Sequence, residues 1–258
     1  MPERYLSGAL RSLPAITHHA PPLIGAEALM YNRLWRAFIE GKLRSGTTLR
    51  LEIIGEVFNV SRAVVRKVLT VMEQEGFVVV PPNREAYVAT PSLEDSHEVF
   101  EALRMTGAHV VAELAAPERR IDATHVQRLH QHAEVQRKAE LEEDFAVQCI
   151  LSSEFFMLLA HIHGNRMIAA NYENLMTRAI VIITNYRAMP ANAKRSEFQK
   201  RLIKQIIEHD QPAAVSTFTE YHVAFERHLH IASTNEPQAD LRTILAGLGS
   251  DSVLPNAC

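Results

Sequence analysis

The sequence predicts a mainly α-helical chain in two parts: a small N-terminal head whose helices are closed by a strand pair, and a longer bundle of helices alone. Three observations carry that expectation. Between Ser61 and Gly76 the apolar residues recur at three- and four-residue spacing and stop at a glycine, the mark of a helix with one buried face. Phe77 to Val80 and Ala86 to Val88 have strand composition and flank the turn Pro81-Pro82-Asn83-Arg84-Glu85. Beyond Pro91 no strand pattern competes with helical periodicity.

Taken in order, residues 1–26 carry Pro14, Pro21 and Pro22 without sustained periodicity and read as a flexible extension. Arg4 or Arg11 in it could touch a minor groove, and His18-His19 reads as a solvent-exposed pair. Ala26 to Glu40 forms the first helix, with Leu29, Met30, Leu34, Trp35, Phe38 and Ile39 on its apolar face. Gly41 closes it, and Gly46 permits the turn before Leu49. Leu51 to Phe58 is a short amphipathic helix, and Asn59-Val60 connects it tightly to the next, which is helix-turn-helix spacing. Ser61 can cap that next helix by accepting a first-turn amide. Val64, Val65, Val68, Leu69 and Met72 share its buried stripe, while Arg62, Arg66 and Lys67 fall off the stripe and crowd the first two turns. A short helix with a basic N-terminal end, a buried back and a strand behind it suits insertion into a DNA major groove. The strand pair then forms a wing.

On these residues the head, from about Met30 to Val88, resembles the winged helix-turn-helix of the GntR family. The run Val60-Ser61-Arg62, Val65-Arg66, Leu69 and Glu73-Gln74-Glu75-Gly76-Phe77-Val78 carries the resemblance. From about Ser92 to Ile231 the chain resembles the all-helical FCD-type effector domain of the FadR subfamily. Leu103-Arg104 with Ala115-Ala116, then His163-Gly164-Asn165, then Asp210 with Ala213-Ala214 agree with it in order and spacing. Six helices, near residues 93–115, 122–140, 143–163, 166–187, 195–208 and 212–232, resemble the smaller VanR-like division. Ser92 or Asp95 can cap the first of them. The implied organisation is an extension over 1–26, the DNA-binding head over 27–90, an effector-binding and dimerisation domain over 91–235, and a tail over 236–258.

What the resemblance implies is a cytoplasmic homodimer that binds double-stranded operator DNA and answers to a small-molecule effector, by family default as repressor of a catabolic operon. Arg62 and Arg66 each present a planar fork of donors that matches guanine O6 and N7. Ser61, Lys67, Arg50 and Arg84 suit phosphate positioning. Asn83 joins Arg84 at the wing, and Ala63, where the family commonly has Thr, leaves a small apolar contact. Leu51 stands where the family usually has an acidic residue, Glu52 where it has a DNA-contacting Arg, and Glu85 where it often has Gly.

Composition is compatible with this. The net charge of −3 divides unevenly: residues 27–90 hold nine Lys/Arg against seven Asp/Glu, and residues 91–258 hold 16 against 22. A slightly basic head on an acidic body suggests DNA contact at one end. No apolar run approaches the roughly 20 residues needed to cross a bilayer, so no membrane partner is expected. There is no secretion signal, and two cysteines, Cys149 and Cys258, make a disulfide framework improbable.

Most effector domains of this resemblance hold a divalent metal with an Asp and three His. Transferred residue by residue, those places fall on Ser152, Phe156, Gln199 and Tyr221, which offer no competent site. Neither metal nor other cofactor is therefore expected. His222 directly follows Tyr221, and His222, Glu226 and His230 share a face at four-residue spacing that could bind metal. Without the ion, Arg104 could grip an effector carboxylate, or it could be a structural salt bridge. Phe156, Tyr172 and Tyr221 would give an apolar, partly aromatic cavity, with Ser152, Gln199, Tyr221, His222 and Arg104 as its polar contacts. The expected effector is an apolar or aromatic acid or thioester. Two rivals remain: a histidine-dependent metal hydrolase, for which nucleophile elbow, phosphate loop and acid–base pair are all missing, and a ligand-independent regulator with a decayed pocket.

Overall fold

The computed structural model describes residues 5–11, 23–186, 194–227 and 240–247. His18, His19, Arg4, His230 and Cys258 lie outside the described residues, as does the end of the helix expected to reach residue 232.

In the head, α2 (Ala26–Ile39) packs on α4 (Arg62–Gln74), and α3 (Leu51–Phe58) precedes α4. Asn59 makes the turn between α3 and α4 in the left-handed region, at φ 52° and ψ 49°. An asparagine tolerates that conformation far better than a branched residue would. Behind them lies a three-stranded antiparallel sheet of β1 (Thr48–Leu49), β2 (Val78–Val79) and β3 (Ala86–Val88), in the order β1-β3-β2. The two-residue β1 is too short to show a period, and no strand is expected there from the sequence. The expected apolar stripe of α4 is buried at Val65, Val68, Leu69 and Met72, joined by Val71, while Val64 is only partly covered. On α2, Leu29 is 47% exposed and Tyr31 takes its place in the core, its hydroxyl donating to Glu75 at 2.5 Å.

The bundle follows the sequence closely: α5 (Leu93–Leu114), α6 (Ala123–Leu141), α7 (Phe145–His163), α8 (Arg166–Tyr186), α9 (Arg195–Ile207) and α10 (Gln211–Glu226). Ser92 and Asp95 form a reciprocal capping box at the start of α5. Asp122, Asp144 and Asp210 each cap the helix that follows by accepting a first-turn amide. Helix α5 crosses α10 closely at Gly107, where a Cβ would meet the Phe218 ring at 2.2 Å.

Head and bundle meet along α8. Asn174 Nδ2 and an Arg178 guanidinium nitrogen reach the carbonyl of Gln74, at the C-terminal end of α4, at 3.4 and 3.5 Å. Arg178 lies over Gly76, whose φ is +76° and where a Cβ would come within 2.7 Å of the guanidinium.

Two segments placed outside the expected domains, the flexible extension and the tail, hold packed helices. Residues 5–11, placed in the flexible extension, hold the short helix α1 (Gly8–Arg11) against α6 and α7. The buried Glu154 carboxylate accepts the amides of Leu6 and Ser7 at 2.5 and 2.8 Å, and Leu6, Ala9 and Leu10 are buried. Arg11 donates to the carbonyls of Tyr5 and Leu6 rather than projecting outward. Seven residues with three buried apolar side chains are too few for periodicity to register, yet enough to anchor. In the expected tail, α11 (Leu241–Gly247) packs across α2 and α3 with Leu241, Ile244 and Leu245 buried, and Arg242 pairs with Glu56. Leu245 is fully buried, so Leu245→Ala is expected to cost about 2–5 kcal/mol, read as a fall in the denaturant midpoint. A change below about 0.5 kcal/mol, the range of ordinary surface substitutions, would show that α11 does not belong to the head.

Candidate DNA-reading face and ligand cavity

The first turns of α4 leave one face to solvent: Ser61, Arg62, Ala63, Arg66 and Lys67 are all exposed, and so are Arg50, Asn83 and Arg84. Burial of the opposite stripe fixes that orientation. Ser61 Oγ accepts the Val64 amide at 3.4 Å, as its capping role requires. At the wing the left-handed turn position is Asn83, at φ 58°, and Glu85 needs no positive φ. That accounts for a wing without the expected glycine.

Two of the cations are engaged by carboxylates. Arg62 pairs with Glu52 at 2.9 Å, both side chains well exposed. Glu52 thus holds a base-reading candidate across the helix-turn-helix instead of facing a phosphate. Lys67 binds both carboxylate oxygens of Glu27 on α2, at 2.7 and 2.8 Å. Exposed pairs of this kind contribute little to stability and exchange readily for a phosphate.

The second site lies in the bundle. A narrow cavity opens between α5, α7, α8 and α10. It has about 30 Å³ of free space, room for a water or two, so a small organic molecule enters only as its walls part. Helix α7 contributes Cys149, Ser152 and Phe156, α10 contributes Tyr221, His222 and Phe225, and Phe100 and Leu103 of α5 close one side. Met176, Ala179 and Ile183 of α8 close the other. Phe156 sits at the middle of an aromatic cluster, with ring centroids 4.8 Å from His222, 5.7 Å from Phe218 and 5.9 Å from Tyr221.

Of the residues assigned to this pocket from sequence, Ser152, Phe156, Tyr221 and His222 line it, and three others do not. Gln199 is buried beside it and donates to Gln136 Oε1 at 3.3 Å. Ser152 Oγ reaches the same oxygen at 3.5 Å. Tyr172 is buried away from the cavity, with its hydroxyl against Gly107. Arg104 is not among the lining residues and pairs with Glu226 across α5 and α10. Its structural role is therefore the one observed. The sequence reading missed Gln136 of α6, because a glutamine on a polar helix carries no sign of burial. Surrounding Leu, Ile and Met were expected in the wall, but Met176, Ala179 and Ile183 of α8 were not assigned, because such residues there read as generic core.

The places that the resemblance gives to metal ligands do not fit a metal. Ser152, Phe156, Gln199 and Tyr221 supply no imidazole or carboxylate, and the Phe156 ring occupies the middle of the group. Among the described residues no three His, Cys, Asp or Glu side chains form a cluster able to hold an ion. Glu226, in the alternative set with His222, is the partner of Arg104.

Burial governs the ionisation of the wall. It pushes the Cys149 thiol up to about 12 against the opposing pull of Arg195, and it raises the Tyr221 phenol. Burial lowers His222 to about 4, with the Phe218 carbonyl opposing, and lowers His132 to about 4, with the Leu151 carbonyl opposing. Both histidines are neutral in the folded protein near pH 7. As pH falls from about 6.5 the unfolded chain takes up protons that the folded chain refuses, so stability falls, by on the order of 3 kcal/mol per histidine by pH 4. Denaturant titrations between pH 7 and pH 4 should show that loss, and His132→Gln should remove about half of it, leaving the part due to His222. An unchanged slope would mean that His132 does not titrate as its burial requires.

Residues 28–88 match the family described as bacterial regulatory proteins, gntR family. No curated protein matches the chain. Among solved structures it is similar to a transcriptional regulator described as GntR from Rhodococcus sp. RHA1, at 18% identity and a TM-score of 0.68. That likeness covers 81% of this chain and 99% of the other. It is also similar to McbR/YncC from E. coli, at 16% identity and a TM-score of 0.65, covering 79% of this chain and 98% of that one. The likenesses extend the shared fold beyond the matched head into the helical bundle. No described helix is long and apolar enough to cross a membrane.

Proposed function

We propose that this chain, which carries a gntR-family DNA-binding head, works as a homodimeric regulator that answers to a small ligand held in the bundle. Each subunit presents one α4 to half of a near-palindromic operator. The observation that carries this reading is the exposed arginine face of α4 beside an exposed wing. Arg62 and Arg66 would read guanine edges, with Ser61, Ala63 and Lys67 on the same face, and Arg50, Asn83 and Arg84 would set the register on phosphates. Reading by Arg62 needs release or reorientation of its contact with Glu52, so Glu52 acts on operator preference through Arg62.

Ligand response is supported by the position of α8. Its Met176, Ala179 and Ile183 wall the cavity, and its Asn174 and Arg178 hold the carbonyl end of α4. An occupant that favours one placement of α8 would bias the placement of the head, and operator affinity with it. Repression of a catabolic operon in the cytoplasm is the mode we propose. A hydrolase is disfavoured because the cavity wall offers a phenylalanine, a histidine that burial makes too weak a base near pH 7 and an un-ionised thiol, where a catalytic set would need a matched base and a nucleophile.

The test is a gel shift or anisotropy titration with the DNA upstream of its own gene. Arg66→Ala should weaken specific binding by roughly 1–3 kcal/mol and relax discrimination at one guanine position. Arg84→Ala should weaken binding to all sequences alike and reduce the salt slope by about one. If neither substitution changes binding, the assigned face is not the one that docks.

A further inference from the structure

We propose that the cavity selects a neutral ligand with an apolar body and one hydrogen-bond donor, such as a phenol or alcohol, which donates to His222 Nε2, and that it rejects carboxylates. The inference rests on the cavity being the effector site and departs from the acid expected from sequence.

Its first support is the tautomer of His222. Nδ1 lies 2.9 Å from the Phe218 carbonyl of its own helix. A carbonyl only accepts, so Nδ1 carries the proton and Nε2 carries a lone pair. His222 lines the cavity, and Nε2 is the ring nitrogen that its own helix does not engage. An occupant therefore meets an acceptor there. Burial holds the ring neutral, so Nε2 does not become a donor near pH 7.

The second support is the charge of the wall. None of the lining residues is Lys, Arg, Asp or Glu. Of the two arginines that act on the wall from outside it, Arg104 is paired with Glu226, and Arg195, held by Gln148 Oε1 at 2.6 Å, keeps its charge but does not line the cavity. Glu140 opposes the influence of Arg195 at Tyr221. A carboxylate here would lose its hydration with no cation among the lining groups to contact, which is costly in an apolar enclosure. The remaining hydroxyls of the wall, Ser152, Ser153 and Tyr221, are neutral, with Ser152 directed to Gln136 Oε1 and Ser153 donating to the Cys149 carbonyl at 3.1 Å.

The third support is the make-up of the wall. Phe156 stands edge-on to His222 at 4.8 Å, and Phe100 and Phe225 pack on each other at 5.5 Å, so an occupant that parts the walls meets aromatic rings beside the acceptor.

The experiment measures binding of three probes to the full-length protein by calorimetry at pH 7: 4-propylphenol, its methyl ether and 4-propylbenzoate. We expect the phenol to bind at least about tenfold more tightly than either of the others, because only it satisfies the acceptor. His222→Phe should erase the preference for phenol over ether, and His222→Gln, which keeps an acceptor, should restore part of it. Equal binding of phenol and ether to the unaltered protein overturns the proposal without any variant having to fold. Tighter binding of the benzoate overturns it too, while leaving the cavity as the effector site. Ala179→Leu narrows the cavity, so phenol binding that survives it lies elsewhere and overturns both the proposal and the cavity reading. Failure of all three probes to bind also overturns the proposal, and operator titrations then show whether the DNA-binding reading still stands.

Discussion

Helix α8 is buried on two sides, and the arrangement of the molecule depends on that double burial. Ala169, Tyr172, Met176, Ala179, Ile182 and Ile183 belong to the core of the bundle, whereas Ile180 and Val181 belong to the core that the head shares. A helix covered over so wide an arc cannot slide against one neighbour without disturbing the other, because close-packed interiors have no slack to absorb the shift. The contacts of Asn174 and Arg178 with the end of α4 add a polar tie on the same side. The head is therefore seated on the bundle by packing and by hydrogen bonds together, and no free tether separates them.

Much of this was legible in the sequence, for a physical reason. Long amphipathic helices with capping residues announce themselves: Asp122, Asp210 and the Ser92–Asp95 pair sit where the pattern puts them, and the six bundle helices begin within a few residues of expectation. The arginine face of α4 was equally plain, since a stripe of valine and leucine leaves little choice about what faces out. What the pattern could not convey were the short, non-local pieces. Strand β1 has two residues, α1 four and α11 seven, and each is held by partners far away in the chain: Ala86 and Tyr87, Glu154, and Glu56.

The cavity divides along the same line. Phe156, Tyr221 and His222 were found because a resemblance pointed to their helix positions, but charge partners are a matter of distance alone. Arg104 looked available in the sequence and is spoken for in space by Glu226. Gln136 and Gln199 lie 63 residues apart and face each other in the interior, an arrangement that no local spacing records. Their buried amides lie behind Ser152, so the hydrogen bonding on that side of the cavity is neutral, whereas the sequence left Arg104 open as a charged contact.

The position of α11 also bears on how the protein is made. Leu241, Ile244 and Leu245 complete the packing of α2 and α3, yet they are synthesised only after every helix of the bundle. A nascent head emerges from the ribosome without its last piece of cover, at the stage when domains ordinarily fold one after another. Its apolar flank must wait, shielded or tolerated, until the bundle has been made, so maturation of the DNA-reading unit is deferred past the synthesis of six intervening helices.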